Sequence, residues 1–191
     1  DYDNRYYASL SLRFDGSSVF HKDHRWGTFW SLGASWRINQ EKFMENLTFI
    51  DNLKLRVSYG VQGNDYLLLP GSTTRAYTPY TNLYSIGTTG TSSTYSPTYK
   101  GNKEITWEKN HNLDVGIEFS LWNGKLSGEL EVFNRLTTDM LFNLPIPSTT
   151  GFSTQPVNFG KMTNKGFEFT LSSNVYSDKN INVNVSVNGT T

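Results

Sequence analysis

The chain has 191 residues, 17 basic and 17 acidic side chains, a formal net charge of zero and no cysteine. Balanced charge removes the electrostatic motive for nucleic-acid binding, and the missing thiols exclude disulfide frameworks, thiolate metal sites and cysteine nucleophiles. Ser, Thr, Asn and Gly supply 76 residues and aromatics 15%, a mixture that favours strands and turns over helices. No apolar run approaches the roughly 18 residues of a membrane helix, which leaves a membrane β-barrel open because its strands are apolar on one face only.

Period-two alternation predicts seven strands. The first, over 4–14, sets Tyr6, Ala8, Leu10, Leu12 and Phe14 against Ser9, Ser11 and Arg13. After a link over 15–28, the second (29–38) sets Trp30, Leu32, Ala34, Trp36 and Ile38 against Ser31, Ser35 and Arg37. The next link contains Glu41 to Leu47, with room for one short helical turn. The third strand (52–61) alternates Leu53, Leu55, Val57, Tyr59 and Val61 with Lys54 and Arg56, and a very long link over 62–110 follows. The fourth (111–121) alternates Leu113, Val115, Ile117, Phe119 and Leu121 with Asp114 and Glu118. Trp122-Asn123-Gly124 then predicts a tight hairpin, since Asn-Gly accepts the positive φ values of a type I′ turn. The fifth (125–134) sets Leu126, Leu130 and Val132 against Glu129 and Glu131, before a long link over 136–164. The sixth (166–176) sets Phe167, Phe169 and Leu171 against Glu168, and Ser177 to Asn180 turn into the seventh (181–189), with Ile181, Val183, Val185 and Val187.

None of the 33 positions on the apolar faces is charged. A soluble sandwich alternates in the same way, so alternation alone gives β and no more. Link lengths discriminate: in an up-and-down meander all the long links fall at one edge, the asymmetry of outer-membrane barrels. The fold expected is therefore all-β, antiparallel up-and-down strands forming part of a large transmembrane β-barrel over 4–189. Its long links 15–28, 62–110 and 136–164 would be extracellular. Arg13, Arg37, Arg56, Asp114, Glu118, Glu129, Glu131 and Glu168 would line the lumen. Tyr6, Phe14, Trp30, Tyr59, Phe119 and Phe167 stand near strand ends, where an aromatic girdle belongs. Seven strands cannot close an even-numbered bacterial barrel, so the chain reads as a portion of a larger one.

Little in the sequence suggests catalysis. His21, Asp23 and His24 share one loop and are able in principle to hold a metal, but a solvated loop is the default reading. His111 opens the fourth strand without an evident partner. Glu129 and Glu131 lie about 6.6 Å apart by strand rise, comparable with a retaining glycosidase pair. Lumen acids neutralised by Lys125, Arg135 or a residue of another strand are the plainer account. No catalytic, cofactor or metal residue is assigned. The link 62–110 carries Tyr66, Tyr77, Tyr80, Tyr84, Tyr95, Tyr99 and Trp107 among small polar residues. These are the candidate ligand contacts, because aromatic faces cover apolar faces of sugars or peptide side chains. The same composition also serves a loop that packs on itself. Residues 85–96 are expected to be mobile.

Several stretches resemble the SusC/RagA family of TonB-dependent outer-membrane transporters. They include Arg13-Phe14-Asp15-Gly16-Ser17-Ser18-Val19-Phe20, Arg25-Trp26-Gly27-Thr28-Phe29-Trp30 and Asn52-Leu53-Lys54-Leu55-Arg56-Val57-Ser58-Tyr59-Gly60. Thr106-Trp107-Glu108-Lys109, Leu126-Ser127-Gly128 and Asn158-Phe159-Gly160-Lys161-Met162-Thr163-Asn164-Lys165-Gly166-Phe167-Glu168 continue the pattern in order. The resemblance implies a longer parent with a plug, a barrel of about 22 strands and a SusD-like surface lipoprotein as lid. It implies a Bacteroidetes-like outer membrane, contact with its lipid, and uptake of oligosaccharides or peptides. Energy would come from TonB through a part of the parent outside these residues. The principal alternative is a soluble β-sandwich carbohydrate-binding module; a lipid-facing enzyme barrel is a third, without a defensible nucleophile–base pair.

Overall fold

The computed structural model describes the backbone of residues 1–191 and all side chains except those of Thr89 and Ser148. Among the described residues the chain forms β1 (Tyr6–Gly16), β2 (Trp26–Arg37), β3 (Ile50–Asn64), β4 (Leu83–Thr89), β5 (Ser92–Tyr99), β6 (Glu108–Leu121), β7 (Leu126–Thr138), β8 (Leu141–Pro145), β9 (Thr154–Asn158), β10 (Lys161–Ser177) and β11 (Asn182–Thr190). Seven strands make one antiparallel sheet in the order β1-β2-β3-β6-β7-β10-β11. Sequential neighbours pair throughout once the two inserted hairpins, β4–β5 and β8–β9, are set aside. The link between β2 and β3 holds two single-turn 3-10 helices, Ile38–Gln40 and Lys42–Met44.

Register keeps the two faces apart. Ala8, Ala34, Val57, Val115, Val132 and Phe167 stand in one cross-strand row; Trp36, Leu55, Ile117, Leu130 and Phe169 form another. This face is uncovered: Leu10 is 77% exposed, Phe14 65% and Val132 51%. No second layer lies on it among the described residues, so the sandwich alternative fails. Two bulges adjust the pattern. The irregularity at Asp51 leaves Ile50 opposite Leu121, and its carboxylate accepts from the Gly124 amide at 2.9 Å. The shift after Asn174 brings Tyr176, not Val175, opposite Val183.

The Asn-Gly turn is wider than the two-residue type I′ form. Leu121 pairs with Leu126, and Trp122, Asn123 and Gly124 all have positive φ, at 56°, 56° and 76°. Asn and Gly tolerate that region readily; a bulky Trp does not. Trp122 is held there by its amide bond to the Phe49 carbonyl at 2.8 Å and by stacking on the Phe49 ring at 6.2 Å.

The sequestered core lies in the loops. Val19, Phe20, Phe29, Leu67, Ala76, Ile105 and Trp107 cluster at the long-link edge of the sheet, with Val61, Leu69 and Leu141 against them. The rings of Phe20 and Phe29 stand 5.2 and 5.3 Å from Trp107, whose indole N–H donates to the Arg25 carbonyl at 3.1 Å. The tip of the Phe29 ring abuts Gly63, where an added Cβ would come within 2.0 Å of its Cζ. Asn side chains stitch the loop backbones together: Asn158 donates to the Thr106 and Asp139 carbonyls at 2.8 Å each, Asn143 to Leu68 at 2.7 Å and Asn102 to Pro156 at 2.9 Å. Amides of this kind satisfy carbonyls that no strand ladder reaches. Ser85 to Ser96 lie in the β4–β5 hairpin, with Ile86 opposite Tyr95.

Candidate functional site

Every charged residue assigned to the lumen from sequence falls on the polar face. One row runs Tyr7, Ser35, Arg56, Gly116, Glu131, Glu168 and Thr190; the next runs Arg37, Lys54, Glu118 and Glu129. Arg56 of β3 is the hub. Its guanidinium donates to Glu118 at 3.1 Å and to Glu131 at 2.5 Å, and also pairs with Glu129. Reaching Glu131 on β7 requires crossing β6, and Gly116 leaves the space: a Cβ there would meet Arg56 Nε at 3.0 Å. Glu129 and Glu131 are therefore held by one cation from two strands away, which accounts for the pair without acid–base chemistry. Of the neutralising partners named from sequence, Arg135 instead lies 4.6 Å over the Phe133 ring. Lys54 stands 3.7 Å from Glu118, Ser58 donates to Asp114 at 3.4 Å, and Arg13 pairs with Asp15 at 2.8 Å. Arg56, Asp114 and Glu131 border a concave groove of about 760 Å³ on this face. Glu168 directly opposes Glu131, so the β7–β10 side of the face is acidic.

The aromatic candidates of the long link separate into two groups. Tyr99 and Trp107 are corrections: they are buried, at 2% and 7% exposure, and pack the loops instead of presenting a face. Burial pushes the Tyr99 hydroxyl above its ordinary pKa, and it donates to Asn143 at 3.4 Å. Tyr66, Tyr77, Tyr84 and Tyr95 are exposed, and Tyr80 is half-buried with its ring edge-on to His21 at 5.9 Å. Two exposed tyrosines come together with a cation that sequence reading passed over. Arg75 lies 5.5 Å from the Tyr66 ring centroid and 5.8 Å from that of Tyr77. Asp65 fixes it at 2.7 Å and accepts from Ser17 at 2.5 Å, tying the plate to the β1–β2 loop. The signal was present as Tyr-x-Arg-x-Tyr-type spacing only in part, because Tyr66 reaches Arg75 through the Leu68–Arg75 bridge. Tyr84 and Tyr95 stand apart on the β4–β5 hairpin, Tyr84 edge-on to Phe152 at 6.1 Å. His21 and His24 do not converge on an ion; they pair with Asp23 at 3.1 Å and Glu104 at 3.3 Å. His111 finds the Tyr59 hydroxyl at 3.0 Å.

At the short-link edge, Glu41 accepts from the Tyr6 hydroxyl at 2.6 Å, the Trp36 indole at 3.0 Å and Arg5 at 3.1 Å. Those donors, Tyr6 first, hold its carboxyl below the usual glutamate range. Arg5, bonded to Asp3 and Glu41, is shifted upward in turn.

Residues 1–191 match the family described as TonB dependent receptor-like, beta-barrel. TonB-dependent receptor P26 of Formosa agariphila is 37% identical over 182 residues, covering 93% of this chain and 18% of the relative. TonB-dependent receptor SusC of Bacteroides thetaiotaomicron is 32% identical over 193 residues, covering 97% and 18%. The RagAB peptide importer in its closed-closed state superposes with a TM-score of 0.85 at 30% identity, over 98% of this chain and 20% of that one. The siderophore receptor PirA from Pseudomonas aeruginosa, at 18% identity and a TM-score of 0.58, shares the fold. The chain thus spans about a fifth of the length of the relatives it matches.

Proposed function

The chain belongs to the TonB-dependent receptor β-barrel family of the outer membrane, a family of transporters and not of enzymes, and on that premise we propose that it is a wall segment of an importer for oligosaccharides or peptides. The observation that carries the reading is the division of the seven-stranded sheet. One face is apolar and uncovered; the other carries Arg56 and its carboxylates beneath loops that expose Tyr66 and Tyr77. In the parent barrel the polar face lines the lumen, the long links 15–28, 62–110 and 136–164 are extracellular, and solute first meets Tyr66, Arg75 and Tyr77. A planar guanidinium between two phenol rings offers stacking surface and hydrogen-bond donors together, which suits peptide carbonyls and sugar hydroxyls alike. Tyr80, Tyr84 and Tyr95 are secondary contacts. A SusD-like surface lipoprotein closes the extracellular mouth, and TonB supplies energy through another part of the parent. The peptide importer among the structural likenesses supports peptide cargo.

Uptake by cells whose parent gene is deleted and then restored in full length tests this. Labelled oligosaccharides and labelled peptides are offered separately, with and without an uncoupler of the proton gradient. Restoration of uptake of one class, abolished by the uncoupler, is expected; uptake unchanged by the deletion for both classes overturns the proposal. Tyr66→Ala with Tyr77→Ala is expected to raise the half-saturating concentration by roughly ten-fold, from about 1–3 kcal/mol of lost aromatic contact.

A further inference from the structure

The inserted hairpin β4–β5 stands outside the seven-stranded sheet, and its two strands treat their free edges differently. Gly90 and Thr91 form a two-residue turn, with Gly90 at a φ of 64°. Residues flanking such a turn exchange both backbone bonds, so Thr89–Ser92, Gly87–Thr94 and Ser85–Ser96 are the hydrogen-bonded pairs. Thr88–Ser93, Ile86–Tyr95 and Tyr84–Pro97 alternate with them, and in these pairs the N–H and C=O groups point away from the partner strand. Pro97 fits that register, because an outward position needs no N–H, and it blunts the free edge of β5. The edge of β4 has no such device. Tyr84, Ile86 and Thr88 each direct an N–H and a C=O outward, and none of these groups bonds to another backbone group among the described residues.

Composition and mounting decide what such an edge accepts. Residues 83–99 carry no charge. The edge of β4 therefore lacks the lysines that commonly keep another strand away, and it repels side chains of neither sign. Leu83 to Thr88 are all exposed. The base of the hairpin is fixed: Tyr99 is buried, the Gly101 amide donates to Asn82 Oδ1 at 2.9 Å, and the Thr98 hydroxyl donates to the Leu83 carbonyl at 3.0 Å. A strand that pairs with a mounted edge has less ordering entropy to overcome than one that pairs with a mobile loop. One face of the hairpin groups Tyr84, Ile86 and Tyr95, all exposed, and the other groups Ser85, Gly87 and Thr94. A strand added beside β4 would set alternate side chains next to Tyr84 and Ile86 and the remainder next to Ser85 and Gly87.

We propose that the edge of β4 takes up the cargo as an added strand, and that the cargo is an extended peptide of varied sequence, apolar at alternate residues. An oligosaccharide has no repeating N–H and C=O groups with which to continue the ladder. Main-chain pairing supplies affinity that is indifferent to most side chains, while Tyr84 and Ile86 supply the preference at every second residue. The inference rests on the importer reading and narrows its cargo; it does not involve Tyr66, Arg75 or Tyr77.

The test is calorimetric titration of the full-length receptor with an end-capped peptide of alternating Val and Ser, and with two versions N-methylated on every Val or on every Ser. Methylation removes an N–H, and only one alternate set of peptide amides faces β4. One version is expected to lose affinity by about ten-fold or more and the other to stay within about two-fold. The sensitive set is Val for antiparallel addition and Ser for parallel addition. Equal effects of the two methylations overturn the proposal, and this arm needs no altered receptor. Ile86→Pro removes an outward N–H without touching the β4–β5 ladder and is expected to weaken binding about ten-fold. Ser93→Pro, the matching change on β5, is expected to leave it unchanged. Unaltered peptide affinity of I86P overturns the proposal; if that variant also loses a co-purifying lipoprotein or a second receptor copy, the edge is a protein contact instead. Peptide uptake without the two-residue period keeps the importer reading and overturns the added strand, whereas periodic binding without energised uptake keeps the strand and overturns the importer reading.

Discussion

Apolar side chains meet opposite fates on the strands and in the loops of this chain. On β1 and β2, Leu10, Phe14 and Trp26 point outward with most of their surface uncovered, whereas Phe20 and Ile105, in the adjoining loops, are 0% exposed. The same transfer free energy explains both. A strand side chain in a membrane wall finds hydrocarbon on its open side and needs no protein neighbour; a loop beyond the membrane stands in water and must enclose its own apolar groups. The Phe20–Phe29–Trp107 cluster is the result: a small aqueous-type core that anchors long links to the rim of a wall that has none.

Removing the centre of the loop core should have the largest effect. Trp107→Ala is expected to cost about 3–5 kcal/mol locally, read as rapid proteolysis within 65–107 while the barrel of the full-length receptor keeps its heat-resistant gel mobility. The wall should respond to charge instead of to volume. Val115→Arg is expected to cost about 2–4 kcal/mol at the membrane midplane and to reduce assembled receptor in the outer membrane, whereas Val115→Ala costs far less because lipid fills the space. Where the two regions join, Gly63→Val drives a side chain into the Phe29 ring; about 1–3 kcal/mol of overpacking is expected, with nicking confined to the same loop. The smallest effect belongs to the polar face. Arg56→Met leaves Glu118, Glu129 and Glu131 without their shared cation, and a loss of about 1 kcal/mol in denaturant stability is expected, recovered in high salt as the acids are screened.

A pH experiment sharpens the contrast at the other edge. The Glu41 carboxyl is held below its ordinary value of 4.5 by the Tyr6 hydroxyl, then by Trp36 and Arg5. A depressed folded-state pKa means that the stabilisation is fully present above the unfolded value and is lost as pH falls through the folded one. Trp36 emission should stay constant from neutral pH down to about 4.5 and change only below it. Glu41→Gln should remove that transition; persistence of the transition in the variant would assign it to another carboxyl.

The faces of the sheet were legible from the sequence because a strand's side chains alternate whatever it pairs with. Arg56, Glu118, Glu129 and Glu131 could be placed on one face from their spacing with Leu55, Ile117 and Leu130. That Arg56 reaches across Gly116 to β7 could not, since local periodicity carries no information on which strands are neighbours or where a glycine opens a gap between them. The strand ends were misjudged for a related reason: Lys109, Lys161 and Lys165 interrupt the apolar pattern, yet the ladder is made by backbone groups that continue regardless. Composition likewise marked the tyrosines of 62–110 as one set, although packing buries Tyr99 and Trp107 and brings Tyr66 to Arg75.

By itself, then, the order of residues determined that the chain is β, which side of each ribbon avoids charge, and at which edge the long links gather. These are properties of neighbours two apart along one chain. Tertiary structure alone decided the register that joins Arg56 to acids on two other strands and the loop core around Trp107. Each needs residues tens of positions apart to be brought together, and pairing between distant strands, not local preference, sets which ones meet.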